Sequence, residues 1–293
     1  MDNVEVFHLA NIRLPIEKNR LLLIFVGLNL FVTGIDVALA HSINSFIPVY
    51  EWIPIYYFPL GAMSCFIISL QTTPKKVFAL IHISLMIIGL MVGFIGMAFH
   101  MNAVLNPLGH LSWAWLVFGS PILAPLAFSG ISLLGLYAIT EEVGGSSGVL
   151  IIHGLGRFHA PISRDKHFLW LVGLGFGASA ITSIIDHAQY GYNVYKLIAI
   201  VFGLFATSVV LTIALSDKWS KKDELVYFWT MIAAIIVGVM GFGFHLSGDL
   251  AGTGKISLER MLVFAPILAP LLYGDLGMLG LIVVAQQRKP ERK

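Results

Sequence analysis

Pro121-Ile122-Leu123-Ala124-Pro125 recurs unchanged as Pro266-Ile267-Leu268-Ala269-Pro270, and Gly96, Phe99 and His100 ahead of it recur as Gly241, Phe244 and His245. Both sets are displaced by 145 residues. Nearer the N-terminus the displacement is 146. There Pro15-Ile16 matches Pro161-Ile162, Val26-Gly27-Leu28 matches Val172-Gly173-Leu174, and Lys75-Lys76 matches Lys221-Lys222. Many matches separated by a single one-residue slip define an internal duplication, and repeats of this kind dictate architecture before any motif does.

What is repeated is strongly apolar. Of the 293 residues 57% are hydrophobic and 12% charged, with a mean hydropathy of +0.86. An ordinary soluble domain carries about twice that charged fraction. Disorder, nucleic-acid binding and a disulfide scaffold are excluded, the last because Cys65 is the single cysteine. A bilayer core of about 30 Å takes roughly 20 apolar residues per helix. Eight stretches qualify: 21–41, 52–71, 77–100, 113–139, 168–187, 195–215, 225–246 and 261–285. Their continuous Leu, Ile, Val and Phe runs lack the alternation of a membrane β-barrel.

The expected fold is therefore an all-α polytopic integral membrane protein, with eight transmembrane helices as two parallel four-helix repeats. Four helices per repeat is an even number, so both repeats enter the membrane with one polarity, about a pseudo-two-fold axis along the membrane normal. The expected units are an N-terminal arm at 1–20, a first repeat at 21–140, a connector at 141–167, a second repeat at 168–285 and a basic tail at 286–293. The connector reads as flexible around Gly144-Gly145-Ser146-Ser147-Gly148.

Lysine and arginine set the orientation. With a cytoplasmic N-terminus, fifteen of them fall inside, and only Lys196, Lys255 and Arg260 fall outside. This positive-inside bias predicts that both termini are cytoplasmic, in the plasma membrane of a bacterium or archaeon. Tyr50, Trp52, Tyr56, Tyr57, Trp113 and Trp115 are then expected at the outer boundary. Ala38-Leu39-Ala40 after an apolar run imitates a signal-peptide cleavage site. Asp36 inside the run and the mid-chain copy of the segment argue against cleavage.

Four of the ten histidines stand in repeat register: His41 with His187, and His100 with His245. Each lies about twenty residues into an outward-running helix, so at about 1.5 Å per residue all four reach one extracytoplasmic level. Desolvated imidazoles need partners, and nitrogen ligands on adjacent helices suit haem iron, copper or zinc. The expected site is His41, His100, His187 and His245, holding haem b or copper, with zinc as a further candidate. Two bis-histidine haems, one per repeat, or one ion on the pseudo-axis would each use this set. Covalent haem attachment is excluded, since no CxxCH is present.

Asp36, Asp186 and Asp249 are the expected carboxylate partners of those rings, fixing their tautomers. Gly93, Gly96, Gly238, Gly241 and Gly243, with Gly173, Gly175 and Gly177, would let a flat macrocycle approach; they equally allow close helix packing with no cofactor. Asp275, near mid-membrane, is a candidate for a proton or ion pathway. The two Pro-Ile-Leu-Ala-Pro elements are expected to bend their helices.

Three functions compete on this reading. The first is a redox protein passing electrons to a quinone or another carrier. The second is an ion- or proton-coupled transporter built on the tandem repeat and Asp275. The third is a non-catalytic subunit beside other membrane-complex subunits. Only the lipid bilayer is common to all three.

Overall fold

A backbone surrounded by hydrocarbon can satisfy its N–H and C=O groups only internally, so apolar runs of this length fold as helices. The computed structural model describes residues 16–144, 147–251, 257, 260–264 and 266–285. The arm up to residue 15, Lys255 and the basic tail from residue 286 lie outside the described residues. The helices are α1 (Lys18–Ser42), α2 (Trp52–Ser69), α3 (Lys76–Leu105), α4 (Trp113–Phe118), α5 (Leu126–Ala138), α6 (Arg164–Ala188), α7 (Val194–Leu215), α8 (Lys221–Leu250) and α9 (Leu271–Val284). A π-helical turn, Arg260–Phe264, precedes α9.

Helix starts follow from local chemistry. The side chains of Ser163, Asn193 and Ser220 accept from the backbone N–H groups of Lys166, Lys196 and Asp223. Ser220 and Asp223 close a reciprocal capping box at α8.

Six helices are long and apolar enough to cross a membrane: α1, α2 with its leading turn, α3, α6, α7 and α8. The chain is an all-α membrane protein at that level of description. Its outer surface agrees, with Leu28, Phe31, Leu80, Ile87, Leu204 and Val239 all exposed. A helix apolar on every side belongs in lipid or in a large core.

The segments expected at 113–139 and 261–285 are not single helices. Each is interrupted at Pro-Ile-Leu-Ala-Pro, leaving α5 with 13 residues and α9 with 14. At about 1.5 Å per residue these run only about 20 Å. The expected bend is a full break, because two prolines four apart remove adjacent ladder donors and clash with the preceding turn. Gly145 and Ser146 of the connector's glycine–serine run lie outside the described residues; the connector around them has structure of its own. It forms a three-stranded antiparallel sheet of β1 (Glu141–Glu142), β2 (Val149–Ile152) and β3 (Gly156–His159), with Leu150 opposite Phe158.

Packing within the first half pairs α1 with α2, α2 with α3, α3 with α5 and α1 with α5. In the second half α6 pairs with α7, α7 with α8, α8 with α9 and α6 with α9. Between the halves, α1 meets α9 and α5 meets α6. The core is a continuous cluster including Leu22, Val26, Leu30, Phe128, Phe168, Val172, Phe176, Met231 and Leu276.

The N-terminal ends of α1 and α6 are tied by reciprocal polar contacts. Lys18 Nζ donates to Asp165 Oδ1 at 3.3 Å, and Arg164 donates to Asn19 Oδ1 at 2.7 Å. Lys18 also reaches the carbonyl of Val283, and Arg164 that of Tyr137. At the periphery, the Lys166 ammonium lies 2.7 Å from Asp217 and holds its exposed carboxyl below the usual range. Tyr57, expected at the boundary, is buried and bonded to Ser132 Oγ at 2.9 Å. Tyr50, Trp52, Tyr56, Trp113 and Trp115 are exposed.

Candidate functional site

The helix breaks create an unusual acceptor. In an uninterrupted helix the carbonyl of Pro121 would take the N–H of residue 125, but Pro125 has none. It receives a long bond of 3.3 Å from Ala124 N and a short one of 2.8 Å from His100 Nδ1. The second break is built alike: Pro266 O accepts from Ala269 N at 3.2 Å and from His245 Nδ1 at 2.8 Å. A neutral imidazole that donates through Nδ1 carries its lone pair on Nε2. Both rings are thereby fixed in the tautomer that ligates through Nε2.

Each of these rings faces another across its own half of the molecule. His41, in the last turn of α1, has its ring centre 6.2 Å from that of His100, with the planes at 84°. His187, in the last turn of α6, lies 6.3 Å from His245 with the planes at 66°. Helices α1 and α3 make no extensive direct contact, and neither do α6 and α8, so each ring pair links two helices that otherwise touch little. Gln189, just beyond α6, donates to Val117 O in α4, which brings the histidine-bearing ends of the two halves near one another.

The four histidines nevertheless sit as two pairs. Among the described residues no group of three or more His, Cys, Asp or Glu side chains converges to hold a metal ion. The pairing is within each half, so the four rings do not form one cluster on the pseudo-axis.

The carboxylates are placed differently from expectation. His41 Nδ1 meets Glu51 Oε1 at 3.3 Å, and Asn44 Nδ2 donates to the same oxygen at 2.8 Å. Asp36 and Asp186 make no hydrogen bond or ion pair with a histidine. Asp249 is buried at 2% exposure with neither carboxylate oxygen hydrogen-bonded; it lies in the electrostatic field of both Arg260 and His245. Sequence reasoning missed Glu51 because it lies in the short helical turn leading into α2 and has no acidic repeat counterpart; position 197 is Leu. The signal for it was a lone acid among the boundary aromatics. His187 lies beside the Lys196 backbone, but its Nδ1 is buried with no hydrogen bond of acceptable geometry.

The glycines near the histidines are filled by protein. A Cβ at Gly96 would stand 2.8 Å from Pro125 Cβ, and one at Gly241 2.6 Å from Pro270 Cβ. At Gly93 it would meet Ser129 N at 2.7 Å, and at Gly238 Gly274 N at 2.6 Å. These four serve close helix packing, not an opening for a macrocycle. Gly173 and Gly175 likewise pack on Leu211 and Leu276, Gly177 has Thr207 at ordinary contact distance, and Gly243 faces open space.

Asp275 also has a specific partner. Asn29 Nδ2 donates to its Oδ1 at 3.0 Å, joining α1 to α9 across the halves. The neighbouring Tyr273 hydroxyl donates instead to Ala199 O. Comparison with protein-family models, curated proteins and solved structures finds no match, so the reading rests on this geometry.

Proposed function

We propose that the chain is an integral membrane redox protein in which each half holds one redox-active ion between two imidazoles: His41 with His100, and His187 with His245. The halves are two parallel four-helix repeats, with each interrupted segment counted as one membrane crossing. The termini lie in the cytoplasm and the histidine pairs at the extracytoplasmic end. In support of the repeat, each helix pairing of the first half has its counterpart in the second, and the α1–α9 contact is mirrored by α5–α6.

The observation that carries the reading is the ring separation of 6.2 and 6.3 Å, repeated in both halves. Two imidazoles bound on opposite sides of one ion have centres about 6.3 Å apart. That follows from metal–nitrogen bonds of about 2.0 Å and about 1.15 Å from nitrogen to ring centre. A purely structural role accounts for Nδ1 of His100 and His245, which satisfy proline-orphaned carbonyls. It does not by itself account for a second ring facing each of them at the same distance in both halves.

The ion is a copper ion, or the iron of a haem b whose macrocycle does not lie on the four packed glycines; each cycles by one electron between nitrogen ligands. Electrons would be exchanged at the outer surface with a quinone or with a partner subunit. An optical spectrum and metal analysis on one purified preparation test this, with two equivalents of iron or copper per chain expected. A preparation with no Soret band and no stoichiometric iron, copper or zinc overturns it. Stoichiometric zinc alone removes the electron-transfer part.

A second reading, proton-coupled transport, is favoured by the buried Asn29–Asp275 contact beside an interrupted helix. Asp275→Asn leaving proton-coupled uptake unchanged in vesicles removes it.

A further inference from the structure

Glu51 occupies the N-terminal turn of α2, where the helix dipole favours a carboxylate. Only 8% of it is exposed. Its Oε1 lies 3.3 Å from His41 Nδ1, within ion-pair distance, and accepts from the Asn44 amide at 2.8 Å, while Oε2 is buried with no hydrogen bond. This charge is held against the back of one candidate ligand. A carboxylate beside the distal nitrogen of a ligating imidazole favours, by its charge, the more positive state of the ion.

Among the described residues of the second half, no carboxylate stands within ion-pair distance of His187 or His245. The position corresponding to Glu51 is Leu197. His187 Nδ1 has no hydrogen bond, and the nearby cation Lys196 is engaged through Nζ with Gly191 O. The buried Asp249 makes no hydrogen bond to a ring, and Arg260 opposes its charge.

Resting on the two-centre reading, we propose that Glu51 is the positioning residue that makes the centres unequal. It sets the His41/His100 centre at the lower reduction potential and leaves the His187/His245 centre as the electron-accepting one. The chain is then a directional pair: an electron entering at the first half, from a reduced quinone or carrier, moves to the second.

A redox titration of the purified full-length protein, followed optically, tests this. Wild type gives two one-electron steps separated by at least tenfold in equilibrium constant, about 59 mV. Glu51→Gln, which removes the charge and keeps an acceptor, raises the lower step by about that amount and leaves the upper unmoved; Glu51→Asp restores the lower step in part. Should Glu51→Gln fail to accumulate, Asn44→Ala frees the carboxylate and gives a smaller shift in the same direction. Coincident steps in wild type, or a variant that moves both steps or neither, overturn the assignment while leaving two bis-histidine centres in place. Absence of any redox centre overturns both.

Discussion

The two histidine pairs share what the helix breaks impose and differ in what the loops supply. In each, one ring is locked onto the carbonyl of the first proline at 2.8 Å, and its partner ring lies just over 6 Å away. The opposing rings diverge: His41 has Glu51 behind it, and His187 has no hydrogen bond at Nδ1. The shared part lies on the spans, where an unsatisfied carbonyl would be costly in hydrocarbon. The divergent part depends on the connections between helices, where the two halves differ in sequence: Glu51 in one, Leu197 in the other. Geometry is therefore duplicated while electrostatics is free to separate.

The largest effects should come from the rings themselves. His100→Ala and His245→Ala should each remove one of two bound ions per chain, and together both, read by metal analysis on the purified variants. If either single variant emptied the protein, the two pairs would be one shared site and the comparison would collapse.

Next come the close approaches that hold α3 on α5 and α8 on α9. Gly238→Ala drives a Cβ against the Gly274 backbone, which cannot swing away as a side chain can, and should cost about 1–3 kcal/mol. Gly243→Ala on the open face of the same helix should be neutral or stabilising by up to about 1 kcal/mol. Thermal unfolding in detergent distinguishes them. Lost haem occupancy in Gly243→Ala, with stability intact, would place a macrocycle against that face.

At the seam between halves, Asn29→Leu strands the Asp275 carboxyl and should cost about 1–3 kcal/mol, whereas Asp275→Asn keeps a partner and should cost less. Equal losses would show that the contact is incidental to how the halves join. Smallest of all, Asp217→Asn deletes an exposed ion pair with Lys166 and should leave the unfolding temperature unchanged within error.

Much of the architecture was legible. Hydrophobic runs of the right length gave the long helices, and the 145–146 spacing marked which histidines to compare. The Pro-Ile-Leu-Ala-Pro elements were readable as helix disruptions, though not as full breaks, because two prolines four apart also admit a kinked but continuous helix. Partnerships across the bundle were not legible. Asp36, Asp186 and Asp249 are near histidines in sequence, yet among the described residues the carboxylate that meets one of these four rings is Glu51, ten residues beyond His41 and past a turn. Tyr57 resembled its boundary neighbours in composition but faces inward to Ser132. The connector's strands escaped notice because four-residue runs such as Val149–Ile152 have too little periodicity to register.

The sequence by itself determined that the protein is helical and membrane-embedded and that its apolar segments are duplicated. Hydrocarbon solvation and chain length depend only on local composition. Tertiary structure decided which imidazoles face each other, that glycines are filled by prolines and backbone, and that one histidine pair has a carboxylate where the other has none. Those outcomes depend on the rotation of each helix about its axis and on the path of the loops, which packing fixes only when all the segments are assembled.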